Sequence, residues 1–260
     1  MQRNAVWFVV IACLVGAAHS TPPRRVVSLA PNLTAMVAEL GSTESLAAVT
    51  PFCAAPENIR RMPGGMLPEA ETILALEPDL VLATSITPAS TLRQIRDLGI
   101  RTEVFETGSL EQIRQAMEKL AGIFQVTPPR TPGAVPVVTS KRAVLLFGAE
   151  TGYSAGRGTH AHEILKSAGL GNIAAEVSGP WPQLSEEFLL AKDPEIIIVA
   201  DYGDAKKEEL LEFLRAHPLR KYLTAVREGR VIVFPAQAFS IPGPAALQAG
   251  DKLRTEVEKL

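Results

Sequence analysis

One stretch of this chain nearly recurs 116 residues later, and that repeat limits the possible folds more than any other feature. The segment ETILALEPDLVL at 71–82 aligns without a gap on EFLLAKDPEIII at 187–198, an offset of 187 − 71 = 116. A second pair, RVVSL at 25–29 and RAVLL at 142–146, lies 142 − 25 = 117 apart. Two amphipathic helices ending at proline can look alike by chance, but two offsets that agree to one residue favour an ancestral duplication into similar lobes. With 260 residues the chain is long enough for two.

Both halves share one grammar. The β-branched run at 25–29 stops at Pro31 and Asn32, and 33–40 has helical spacing up to Gly41. A strand at 80–82, a helix at 91–98 ended by Gly99, a strand at 102–105 and a helix at 110–124 follow. The second half gives strands at 143–147, 196–200 and 231–234, and helices at 159–168, 206–216 and 245–259. Strands alternating with helices predict an α/β fold with parallel sheets built from crossover units.

Residues 125–140 break the pattern with Pro128, Pro129, Pro132, Gly133 and Pro136 and almost no charge. No helix survives that proline density. The segment reads as a linker reaching roughly 50 Å when extended, open to proteolysis that leaves two folded lobes. It separates an N-terminal lobe at 21–124 from a C-terminal lobe at 141–260.

The first twenty residues read as a secretory signal peptide: Arg3, an apolar run from Ala5 to Ala17, then small residues before Thr21. The run is too short for a confident membrane span, which takes about 20 apolar residues. Export to the periplasm follows. Cys13 also sits in a box resembling those cut and acylated in bacterial lipoproteins, so a lipid anchor there is the alternative. If Cys13 and Trp7 leave with the signal, Cys53 is the only cysteine, excluding an intramolecular disulfide, and Trp181 is the only tryptophan. A lone cysteine of this kind is usually a buried small hydrophobe.

Charge excludes one class of partner. The net charge is only −2, or −2 − 1 = −3 once Arg3 is removed, and no basic field points to nucleic acid. Enzyme signatures are also missing: there is no Gly-x-Ser-x-Gly elbow, no phosphate loop and no His-Glu-x-x-His. In GRGTHAHE at 156–163 a glycine turn opens a helix and can hold an anion. His160 and His162 stand two apart and point to different faces, so they read as a solvated first turn, with no metal site. No catalytic residue and no cofactor are expected.

Aromatic residues make up only 5% of the chain, yet several fall just after a strand, where open α/β sheets bind ligands. These are Phe52, Tyr153, Trp181 and Phe239. On facing lobes they would clamp a planar or organic ligand. Phe52 and Phe239 serve equally well as plugs of their own cores; Trp181, between two prolines, is harder to place there.

VSLAPNLT at 27–34, GGM at 64–66, LEPDLV at 76–81 and PWPQ at 180–183, in that order, carry a family likeness. From about Arg25 to Leu253 the chain resembles the periplasmic solute-binding proteins of ABC importers for cobalamin, haem and ferric siderophores, above all the cobalamin binders. The resemblance implies an α/β fold of two Rossmann-like lobes, with parallel sheets flanked by helices and a ligand cleft between the lobes, and a corrinoid carried there to an importer permease dimer by a protein that is a monomer. It places Phe52, Tyr153 and Trp181 at ring-stacking positions, with Pro31 and Asn32 in the same ligand-facing set, and makes Glu71 and Glu187 the two docking glutamates. Both glutamates also sit in a first helical turn, where the helix dipole alone favours an acid.

Three departures from the family bear on the ligand. The family's interlobe helix of about 30 Å is replaced by the proline-rich segment. No aromatic stands near Gly65 and Met66, and the arginines often found around 241–245 are absent, so an anionic ligand loses its expected partner. Haem or a ferric siderophore is the alternative cargo. An exported enzyme or chelatase-like protein on the same fold is the rival class, and a relative that binds ligand poorly is a third reading.

Overall fold

The computed structural model describes residues 21–65, 68–130, 141–203 and 206–260. Residues 1–20 with Trp7 and Cys13, Met66, and 131–140 of the proline-rich segment lie outside the described residues.

The first lobe runs β1 (Val26–Ser28), α1 (Pro31–Glu39), β2 (Leu46–Val49), β3 (Arg60–Arg61), α2 (Ala70–Leu74), β4 (Leu80–Thr84), α3 (Ala89–Asp97), β5 (Thr102–Phe105) and α4 (Leu110–Phe124). Its strands pair in parallel in the order β3-β2-β1-β4-β5. The second lobe runs β6 (Arg142–Phe147), α5 (His160–Ser167), β7 (Gly171–Asn172), α6 (Glu186–Lys192), β8 (Ile196–Asp201), α7 (Lys207–Ala216), α8 (Thr224–Arg227), β9 (Val231–Pro235), α9 (Gln237–Ser240) and α10 (Pro244–Glu258). Its sheet is also parallel, in the order β7-β6-β8-β9. The central strands are apolar and buried on both faces, as sheets covered by crossover helices require.

Local signals set the helix ends. Pro31 opens α1 at a position that needs no N–H. Ser109 and Gln112 form a reciprocal capping box at the start of α4, which ends at Gln125 in the left-handed conformation, φ 56°.

The lobes are not independent. One apolar cluster runs from Leu33, Leu82 and Leu120 of the first lobe into Leu145, Ile164 and Leu253 of the second. The terminal helix α10 joins them, packing on α5 and also on α4 and α1. Two hydrogen bonds cross the same seam. The Leu110 backbone N–H donates to Glu163 Oε2 at 2.6 Å, and Asn32 Nδ2 donates to the Pro242 carbonyl at 3.4 Å. The outer face of each sheet keeps a core of its own.

Candidate functional site

Parallel strands put all their C-terminal ends on one edge, and there the lobes meet. A cavity of about 400 Å³ opens at the ends of β1 and β4, lined by Pro31, Asn32, Thr84, Ile86 and Thr107 of the first lobe and by Ile241 of the second. Among the described residues that line it, none is charged. Asn32 is buried and donates to Thr107 Oγ1 at 3.1 Å as well as to Pro242, so it joins the two walls. Pro31, half-buried, faces the cavity beside it.

Phe52 is 62% exposed, in the turn after β2. Cys53 turns inward there, 4% exposed and with its Sγ 3.2 Å from Thr50 Oγ1, which leaves the phenyl ring outside. Cys53 is thus the buried small hydrophobe expected from the sequence.

In the second lobe the chain builds a short antiparallel ribbon from 152–156 and 180–184. Leu184 N–H donates to Gly152 O at 2.8 Å, Ser154 N–H to Pro182 O at 2.9 Å and Gly156 N–H to Pro180 O at 2.8 Å, and Tyr153 bridges Gln183. Glycine is needed at the two ends: a Cβ at Gly152 or Gly156 would lie 2.4 Å from a carbonyl oxygen of the facing segment. Side chains alternate across such a ribbon. Ser154, Pro182 and Leu184 are buried, whereas Tyr153, Trp181 and Gln183 are exposed. The Trp181 ring meets those of Phe147 and His160 in edge-type contacts, with ring centroids 5.7 Å and 6.3 Å apart.

His160 links this ribbon to the cavity rim. Burial pushes its pKa down to about 4, against a hydrogen bond to the Phe239 backbone that pulls the other way. It is therefore not part of a solvated turn: the Trp181 ring and the lobe core enclose it, and its Nε2 has no partner among the described residues. Burial likewise lowers His162, with Arg157 and Lys166 adding to the effect, and its Nδ1 lies 3.1 Å from Asn172 Nδ2. No group of three or more His, Cys, Asp or Glu among the described residues is placed to hold a metal ion.

Phe239 is the correction among the aromatics. It is fully buried, with its ring 5.3 Å from that of Phe234. The single turn of α9 rolls the side chain into the core and presents Ser240 and Ile241 to the cavity instead. The sequence reading missed these two along with Ile86, Thr87 and Gln183. Ile86 and Thr87 stand just past β4, and their place directly after an apolar run and before Pro88 is the available signal. Gln183 becomes visible only once the ribbon register is known.

Glu71 and Glu187 are exposed in the first turns of α2 and α6. The Glu187 backbone N–H, then the Ser185 hydroxyl, hold its carboxyl below the usual range.

Known proteins share this fold. The model of a family described as periplasmic binding protein matches residues 26–127 and 131–238. A vitamin B12-binding protein of Salmonella paratyphi A is 30% identical over 192 residues, 68% of this chain and 72% of that protein. The periplasmic vitamin B12-binding protein of Vibrio cholerae superposes with a TM-score of 0.68 at 22% identity, covering 92% of this chain and 98% of that one. The periplasmic haem-binding protein of the same organism gives 0.69 at 20% identity, covering 89% and 97%. With two parallel-sheet lobes and a match across both, the chain belongs to the periplasmic binding protein family.

Proposed function

We propose that this protein captures a corrinoid of the cobalamin type between its lobes and delivers it to an ABC importer, without catalysing a reaction. The carrying observation is the uncharged cavity lining. An anionic chelate entering an uncharged cleft loses water without gaining a counter-charge. A corrinoid is bordered by neutral amides, which the hydroxyls of Thr84 and Thr107 can meet, while Trp181 and Tyr153 offer faces for its ring. The vitamin B12-binding relative supports this cargo. A haem or ferric-siderophore cargo is the second reading, favoured by the equal likeness of fold to a haem binder.

In this reading the protein is a periplasmic monomer, freed by signal cleavage or held by a lipid on Cys13. Glu71 and Glu187 meet a permease dimer, one on each half, because a pseudo-twofold protein on a dimer needs an equivalent charge in each lobe. The test is a titration of residues 21–260 with cyanocobalamin, cobinamide, haem and a ferric siderophore, followed by Trp181 emission. Quenching by the corrinoids is expected. Quenching by haem or the siderophore alone overturns the corrinoid assignment.

A further inference from the structure

We propose that Arg220 ties the cargo-contacting loop of the second lobe to its docking helix, so that contact at Tyr153 is transmitted to Glu187. This rests on the function proposed above and adds a positioning residue to it.

Arg220 is only 3% exposed, although it carries a full charge, and its guanidinium reaches two separate pieces of chain. On one side Nε donates to Glu186 Oε1 at 3.0 Å and Nη2 to the same oxygen at 2.6 Å, a forked pair with the first residue of α6. On the other side Nη2 donates to the Thr151 carbonyl at 3.2 Å and Nη1 to the Ala149 carbonyl. Those carbonyls belong to the loop that leads into Tyr153. The loop is closed on itself, because Phe147 N–H donates to Tyr153 O at 3.0 Å and Thr151 Oγ1 to Phe147 O at 2.6 Å. Ala149 and Thr151 therefore move with Tyr153.

Glu186 is the neighbour of Glu187 in a helix turn fixed by the Ser185 cap, with Phe188 N–H donating to Ser185 Oγ at 3.2 Å. Arg220 is itself held by His217, whose Nδ1 accepts from its backbone N–H at 3.1 Å. A buried guanidinium satisfied by three partners on two segments keeps those segments in register, and lysine cannot reproduce the fork.

Among the described residues the first lobe has no such joint. In the 116-residue register Glu186 corresponds to position 186 − 116 = 70, which is Ala70. The device is one-sided: Glu71 sits on a helix without this link, and Glu187 on one that follows the cargo loop. Linkage makes the effect reciprocal, so the factor that cargo imposes on docking through Glu187 is the factor that docking imposes on cargo.

The experiment is hydrogen exchange on residues 21–260, with and without cyanocobalamin, read at 186–192 and at 70–74. Cyanocobalamin should slow exchange at 186–192 by about threefold or more and leave 70–74 unchanged. Glu186→Gln should abolish that response while Trp181 is still quenched. The pair Arg220→Met with Glu186→Leu removes the joint without stranding a charge and should do the same. Equal responses in both helices, or a response that survives in either variant, overturns the joint. If cyanocobalamin does not quench Trp181, the corrinoid reading fails separately. The empty protein then decides: Glu186→Gln must speed exchange at 149–153 and 186–192 together by about tenfold but not at 70–74, and loosening of only one segment overturns the proposal.

Discussion

Glu77 and Asp193, 193 − 77 = 116 residues apart, both take the left-handed backbone conformation, with φ of 47° and 38°. Few residues other than glycine do so, and here each is gripped in the same way. Arg25, at the edge of β1, donates from Nε to the Glu77 carbonyl at 3.1 Å; Arg142, at the start of β6, donates from Nη2 to the Asp193 carbonyl at 3.1 Å. The next acids match too, since Arg25 N–H donates to Asp79 Oδ1 at 3.1 Å and Arg142 N–H to Glu195 Oε2 at 2.9 Å. The duplication seen in the sequence is thus repeated in hydrogen bonds, and it fixes α2 and α6, which carry Glu71 and Glu187, in equivalent places.

Trp181→Ala should weaken corrinoid binding by about 10- to 100-fold, as expected when an aromatic face that stacks on cargo is lost. Equilibrium dialysis on residues 21–260 measures it, since that variant has no tryptophan left to report. Unchanged affinity would remove Trp181 from the site.

Reversing both docking charges, with Glu71→Arg and Glu187→Arg, should leave the fold and cargo affinity intact and abolish stimulation of the importer ATPase. Exposed charge pairs are strongest at low salt. Stimulation that persists there would leave the two glutamates with a helix-dipole role only.

Proteolysis at the proline-rich segment should give fragments meeting between Gln125 and Lys141. The nicked halves should stay together on a sizing column, contrary to the separate lobes the sequence suggests. Helix α10 packs across onto α4, and Glu163 holds the first N–H of that helix. Separation of the fragments without denaturant would show that the seam is weak.

Acid should destabilise the protein through His160. Its folded pKa of about 4 lies below the ordinary value of 6.5, so the unfolded chain takes up the proton first as pH falls. Stability is present above pH 6.5 and lost down to about pH 4, by about 3 kcal/mol for a shift of this size. His160→Gln has no such proton to gain and should show a flatter profile in urea titrations at pH 7 and pH 4.5. Equal slopes in both proteins would mean that His160 is not held neutral by burial.

The sequence by itself determined the α/β alternation, the repeat, and the positions of Tyr153, Trp181, Glu71 and Glu187. Those signals are local: a period along a strand or helix, a proline beside a tryptophan, a register between two segments. Even helix ends came within about two residues, because capping and glycine stops act over one turn. Tertiary structure alone decided that Phe239 faces inward, that His160 is enclosed, and that Gln183 shares a face with Tyr153. Phe52 and Phe239 both follow a strand and look equivalent in the sequence, yet the first is exposed and the second buried. What separates them is which neighbours close over the ring: Phe234 of β9 and helix α5 enclose Phe239, and those elements are far apart in the chain and joined only when the sheets pack.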